Sequence, residues 1–283
     1  MTLRAYAKIN IGLHILGKRG DGYHDIETVF REIGLADEIG IEPADEIEFI
    51  CTSDHVPSDG TNVCVKAARL LRDRHAAGKG ARIVLHKHIP VGAGLGGGSS
   101  DAAAVLTGLN DMWSLHLDTT TLRQIGVQIG SDVPFFIEGG SAYGLGRGEI
   151  LERLRLEVPS WIVLIVPPVH VSTSWAYRHL VVHRDHTPTG LRDEVLSHIN
   201  RSHEMTASVV NDFEESVFQQ YPIIRDVKKG LLHAGASFAL MSGSGSSVFG
   251  LFDDEATARL AAGSFPQDHI VSLTPPHFES GRT

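Results

Sequence analysis

Residues 3 to 15 alternate without a break. Leu3, Ala5, Ala7, Ile9, Ile11, Leu13 and Ile15 fall on one side, with Arg4, Tyr6, Lys8, Asn10, Gly12 and His14 on the other. A period of two is that of an extended strand, here with one face on a core and the other polar. "GKRGDGYH" then reads as a turn through Asp21 and Gly22, and "HDIETVFREI" as the returning strand. A chain that begins this way must supply a partner sheet and a layer to cover it.

The rest of the sequence supplies both. "DEIEFICTS" reads as a strand, and "TNVCVKAARLLRDRHAA" as a helix capped by Thr61. "ARIVLHKHIP" reads as another strand, followed by the glycine run and a helix with Val105, Leu106, Leu109 and Trp113 on one side. "TTTLRQIGVQIG" predicts a helix that stops at Gly130, and "SDVPFFIEGGSAYGLGRGEILERL" short strands separated by glycine turns. From about residue 160 the order changes to β-α-β-β-α-β, the split βαβ or ferredoxin-like arrangement, with helix over 212–233 interrupted before Pro222. The expectation is an α+β protein of two domains, 1–155 and 156–283.

Composition narrows the function classes. The net charge of −9 argues against a broad nucleic-acid footprint, though not against phosphates held locally by backbone N–H groups. No apolar run reaches the roughly 20 residues that cross a bilayer, so no membrane partner is expected. The first residues have neither signal-peptide nor transit-peptide character. Cys51 and Cys64 make no disulfide framework and have no metal-ligand spacing, which suits a reducing, cytoplasmic setting. The histidine pairs His86/His88 and His183/His186 lack a third ligand nearby, so no metal site is assigned. Nothing in the residues bears on oligomeric state.

"PVGAGLGGGSSDAAA", residues 90 to 104, carries the chemistry. It matches G-x-G-x-x-G, with Asp118 near the offset of a ribose-binding acid, but the second parallel strand of a dinucleotide fold is missing. A P-loop needs a lysine after its last glycine, and none is present. A flexible connector is the remaining plain reading, yet a helix start follows at once. The glycines allow close approach of a ligand, Ser99 and Ser100 can cap the helix, and its uncapped N–H groups favour an anion. Asp101 suits a first helical turn but repels phosphate unless it works through a metal or points away.

That run, with "AYAKINIGLHILGKRGDGYHDIETVF", "IGSDVPFFIEGGSAYGLGRGE" and "LMSGSGSSVFGLF" in the same order, resembles the GHMP kinases. Within that superfamily it is most similar to the branch whose alcohol substrate is a diphosphocytidylated methylerythritol. The resemblance runs from about residue 3 to 255 and diverges over 181–207. It implies a two-domain GHMP fold, with an S5-like N-terminal α+β domain and a ferredoxin-like C-terminal one. It also implies ATP as phosphoryl donor, with Mg²⁺ on the phosphates through ligands that the sequence does not identify.

Roles follow from the resemblance. Asp132 in "GSDVPFF", which could otherwise be a turn residue before Pro134, is implied to be the catalytic carboxylate, and Lys8 its cationic partner. Lys8 and Asn10, otherwise an exposed strand face, occupy the A-K-I-N pattern, with Asn10 on the substrate side. Pro90, Val91, Gly92, Ala93, Gly94, Leu95, Gly96, Gly97, Gly98, Ser99 and Ser100 are implied to carry ATP. Asn62, equally a helix cap, lies near the nucleotide. Tyr23 and His24 are implied to stack on and hydrogen-bond a cytosine, with Tyr177 closing its other face and Trp175 competing for that place. Gly243 and Gly245 bring a second glycine loop to the substrate. Lys87 is read as an exposed strand charge rather than a phosphate ligand.

Overall fold

The computed structural model describes residues 1–180, 186–201 and 209–281; His183 and parts of the divergent 181–207 stretch lie outside them. Two compact units interleave along the chain. One comprises Met1–Ala7, Leu35–Val91 and Gly96–Gly139, and the other Lys8–Gly34, Gly92–Leu95 and Gly140–Thr283.

Two long strands, β1 (Thr2–Lys18) and β2 (His24–Ala44), pair with each other and pass through both units. The alternation in β1 does not separate core from solvent. Ala5 to Gly17 are buried on both faces, the polar face holding Lys8, Asn10 and His14 inside. Burying such groups requires partners; those of Lys8 and Asn10 are given below, and His14 Nδ1 lies 2.6 Å from Thr189 Oγ1. β2 continues well past the "HDIETVFREI" expected of it, through Gly34 and the acidic Asp37 and Glu38.

In the first unit β3 (Ile47–Cys51) runs parallel to β4 (Gly80–His86), which pairs antiparallel with the second half of β2, Ile41 opposite Ile83. Between them lies α1 (Val63–His75), burying Cys64, Val65, Ala68 and Leu71. Its cap is Asn62 rather than Thr61: Asn62 Oδ1 accepts the Cys64 N–H at 2.7 Å, while Thr61 bonds back to Asp59. α2 (Gly97–Met112) packs against α1 through an alanine-rich face. At Gly108 a β-carbon would come within 2.6 Å of Leu3 and Ile41 side chains, so glycine allows α2 to lie tight on the strands. α3 (Thr119–Gly126) is capped by Asp118, which accepts the Thr121 N–H at 2.7 Å. The helix ends at Gly126, and turn bonds carry the chain on to Gly130.

α4 (Val133–Glu138) stands where a strand was expected. Pro134 in its first turn fixes a helical φ, and the helix halts at Gly139, whose φ is positive. The apolar run Val133 to Phe136 is therefore a buried helix turn, too short for periodicity to tell from a strand.

In the second unit β5 (Ser141–Leu145) and β6 (Ile150–Arg153) form a hairpin on the first half of β2. β7 (Trp161–Val166) leads to α5 (Thr173–Arg178), α6 (Leu191–Arg201), α7 (Glu214–Gln220) and α8 (Pro222–His233), the last two divided at Tyr221 as the proline required. β8 (Phe238–Met241), β9 (Val248–Phe252), α9 (Glu255–Gly263) and β10 (Ile270–Thr274) follow. The strand order β10-β7-β9-β8, all antiparallel, is the split βαβ sheet, packed on α8 and α9 over Val163, Ile165, Val227, Leu231, Met241 and Phe252. No described helix is long and apolar enough to cross a membrane.

Candidate active site

The buried polar face of β1 holds the glycine run by its carbonyl oxygens. Lys8 Nζ donates to the Gly94 carbonyl at 3.0 Å and to Asn10 Oδ1 at 2.6 Å, and the Lys8 N–H donates to the Leu95 carbonyl at 3.0 Å. Ser242 Oγ donates to the same Gly94 carbonyl at 3.0 Å, and Ser247 Oγ to Ala93 at 2.6 Å. Asn10 completes the frame, donating from Nδ2 to Thr28 Oγ1 at 2.8 Å while its N–H donates to Ser242 Oγ at 3.1 Å. Ser242, Ser247 and Thr28 are members of this frame that the motif stretches contain but the sequence reading did not single out.

Glycine is required where the two glycine loops touch. Gly94 has φ +80, and a β-carbon there would sit 2.1 Å from the Ser242 carbonyl oxygen. Gly243 has φ +57, which favours glycine, and a β-carbon there would sit a tight 3.1 Å from the Gly94 backbone. Gly243 and Gly245 thus build the loop that braces Gly94, and Asn211 Nδ2 donates to the Gly243 carbonyl at 2.8 Å.

In a trans peptide the N–H points opposite to the carbonyl. With the carbonyls of Ala93, Gly94 and Leu95 fixed by Ser247, Ser242 and Lys8, the N–H groups of Gly94, Leu95 and Gly96 face the other way. α2 then begins behind Gly96, a left-handed residue with no side-chain cap. Ser99 and Ser100 do not cap the helix; both lie inside its first turn, and Ser100 Oγ donates to the Tyr6 carbonyl at 2.7 Å. A helix start with no side-chain cap leaves its first N–H groups open, and such an end favours an anion. The residues present fit the phosphates of a nucleotide. Pro90 is half-buried and Val91 is exposed at the entrance to this run.

Lys87 is not an exposed strand charge. It is buried beyond the end of β4, bonded to Asp37 and, at 2.9 Å, to Asp101 Oδ2. Asn62 is also buried, with both ends of its amide engaged: Oδ1 on the Cys64 N–H and Nδ2 on the Pro57 carbonyl at 2.7 Å. Its helix start lies by the glycine run, since a β-carbon on Gly98 would approach Val63 at 3.6 Å. Asp132 directly precedes α4 at its N-cap position, yet its side chain does not cap the helix.

His24 stacks on Tyr177, ring centroids 4.8 Å apart and nearly parallel, and Tyr177 stands edge-on to Phe213. Trp175 instead stacks on His179 and meets Tyr221, so Tyr177 is the aromatic partnered with His24. Burial, with the Lys18 charge adding, holds the His24 imidazole below its ordinary range. It is therefore neutral at neutral pH and can donate and accept at once. The Tyr23 ring is more than half exposed and lies under the Arg147 guanidinium at 4.7 Å, a partner that the sequence reading did not single out. No group of three or more His, Cys, Asp or Glu side chains placed to hold a metal occurs among the described residues.

The chain matches the family model described as "GHMP kinases N terminal domain" over residues 62–140, and "GHMP kinases C terminal" over 190–270. It is 45% identical to a 4-diphosphocytidyl-2-C-methyl-D-erythritol kinase of Prosthecochloris aestuarii, over 98% of each chain. It is 44% identical to the kinase of the same name from Chlorobium phaeovibrioides, over 98% of this chain and 97% of that one. Among solved structures, a crystal structure of 4-(cytidine 5'-diphospho)-2C-methyl-D-erythritol kinase superposes with a TM-score of 0.84 at 34% identity. That match covers 97% of this chain and 98% of the other.

Proposed function

We propose a reaction for this chain from one premise: it belongs to the GHMP kinases, and within them to the 4-diphosphocytidyl-2-C-methyl-D-erythritol kinases. The reaction is transfer of the γ-phosphoryl group of ATP to the 2-hydroxyl of 4-diphosphocytidyl-2-C-methyl-D-erythritol, a step toward isoprenoid precursors by the non-mevalonate route. We place it in the cytoplasm, and take 1–155 and 156–283 as the domains that serve it. The observation that carries the reading is the glycine-rich start of α2, which has no side-chain cap and leaves its first N–H groups open to an anion.

In this account the run from Pro90 to Ser100 holds the ATP phosphates, and Asn62 shapes the nucleotide side by setting the start of α1. Mg²⁺ bound with ATP would supply neutralisation of phosphate charge. Phosphoryl transfer needs alignment and charge stabilisation more than covalent help. Asp132 orients the 2-hydroxyl and takes its proton as the oxygen attacks. The Lys8 ammonium stabilises the negative charge that spreads over the transferring group. Asn10, Gly243 and Gly245 lie on the substrate side of Lys8. His24 and Tyr177 recognise the cytosine, the imidazole bonding the base edge, and Tyr23 supplies a stacking face.

Tyr23→Ala tests the substrate half of this reading. Base stacking on an aromatic is worth about 1–3 kcal/mol, so KM for the cytidylyl substrate is expected to rise about ten-fold or more while KM for ATP stays within about two-fold. Steady-state kinetics with each substrate varied in turn reads both. Equal effects on the two would make Tyr23 a structural residue and remove it from substrate binding.

A further inference from the structure

One lysine serves two buried carboxylates at the first turn of α2. Lys87 bonds to Asp37 on β2 and to Asp101 on α2, and all three side chains are shielded from solvent. The two acids are not equivalent. Asp37 Oδ1 also accepts the N–H groups of His88 and Ile89, at 2.5 and 2.8 Å. Asp101 Oδ1 is buried and meets no donor. Cys64 on α1 also faces Asp101, with Cys51 of β3 acting on it as well; burial first, and Asp101 next, push the Cys64 thiol well up, so it stays neutral. One ammonium balances one carboxylate. A second buried negative charge with an unpaired oxygen is far costlier than a neutral carboxyl in the same place.

We infer that Asp101 is the protonated member of this cluster, and that its neutrality is what leaves the start of α2 able to hold phosphate. Asp37 accepts two backbone N–H groups as well as the Lys87 ammonium and is the better paired of the two acids, so the proton falls to Asp101. Burial is the chief cause that pushes the Asp101 carboxyl up to about 8; Lys87 opposes it and the Asp37 charge adds to it. Above that pH a carboxylate forms one residue beyond Ser100, beside the phosphates, and repels them. The same acidic side chain that a phosphate loop should avoid is thereby made harmless. The inference rests on the reading of Gly92 to Ser100 as the ATP loop.

Titration calorimetry of ATP binding to the full chain tests it, between about pH 7.5 and 9.5, above the range where phosphate itself titrates. Affinity is expected to fall about three- to ten-fold through one ionisation near pH 8, and binding at about pH 8.5 to take up protons, seen as a dependence of heat on the buffer's ionisation enthalpy. Asp101→Asn should flatten both. Asp37→Asn, which removes the like charge, should move the ionisation to lower pH. A carboxyl whose pKa is raised by folding also lowers stability as pH rises from about 4 to about 8, so urea unfolding of Asp101→Asn should lack that decline. Flat wild-type affinity without proton uptake, or an unchanged alkaline loss in Asp101→Asn, overturns the inference. Absence of ATP binding at every pH would instead overturn the reading of the loop.

Discussion

Asp132→Asn is expected to lower kcat by about 10²–10⁴-fold while the affinity for ATP stays within about two-fold, because a positioned general base contributes on that scale only at the transition state. The substitution is nearly isosteric. The backbone carbonyl of Asp132 accepts the Phe135 N–H at 3.2 Å, and an asparagine keeps that bond and the turn into α4. Its side chain does not cap the helix, so no cap is lost. What changes is the capacity to accept a proton from an alcohol. Stopped-flow or coupled-assay kcat together with an independent nucleotide Kd distinguishes the outcomes. A near-wild-type kcat would remove Asp132 from the chemistry.

Lys8→Met is expected to cost about 10²–10³-fold in kcat, the scale of one preorganised charge or donor at a transferring group. Here the structure adds a second consequence. The buried ammonium is one of two donors on the Gly94 carbonyl and the closer donor on Asn10 Oδ1, so its loss leaves that carbonyl to Ser242 alone. Stability should fall by about 1–3 kcal/mol, the cost of under-satisfied buried polar groups. Lys8→Arg is not expected to rescue, since the bulkier planar guanidinium cannot fit the buried place of an ammonium bonded to Asn10 Oδ1 and the Gly94 carbonyl. Measured kcat and ATP Kd separate the two roles. A loss confined to ATP affinity, with kcat unchanged, would make Lys8 a strut of the glycine loop and contradict its catalytic part.

The sequence read differently in different places, for physical reasons. The alternation of β1 was plain, but its polar side looked like a solvated face; only the partners of Lys8 and Asn10 reveal a buried one. The glycine run announced a backbone that must be approached closely, and Gly94 against Ser242 shows that part of the approach is by the chain itself. Asp37, Lys87 and Asp101 are far apart in sequence, so no spacing could have exposed their cluster. Each alone looks like an ordinary charge. The turn from Val133 to Glu138 was misread because six apolar-rich residues carry too few periods to separate helix from strand, and the proline that decides it also occurs at strand ends. The cap moved by one residue, from Thr61 to Asn62, within the ordinary uncertainty of helix ends. The pairing of His24 with Tyr177 rather than Trp175 needed coordinates, since both aromatics lie on α5.

The central claim is the identity of the alcohol that receives the phosphoryl group. ATP consumption by the full chain, assayed side by side with 4-diphosphocytidyl-2-C-methyl-D-erythritol, mevalonate, homoserine and galactose, tests it most directly. Turnover with the cytidylyl substrate and none of the others is the expected result. Turnover with mevalonate, homoserine or galactose but not with the cytidylyl substrate would contradict it.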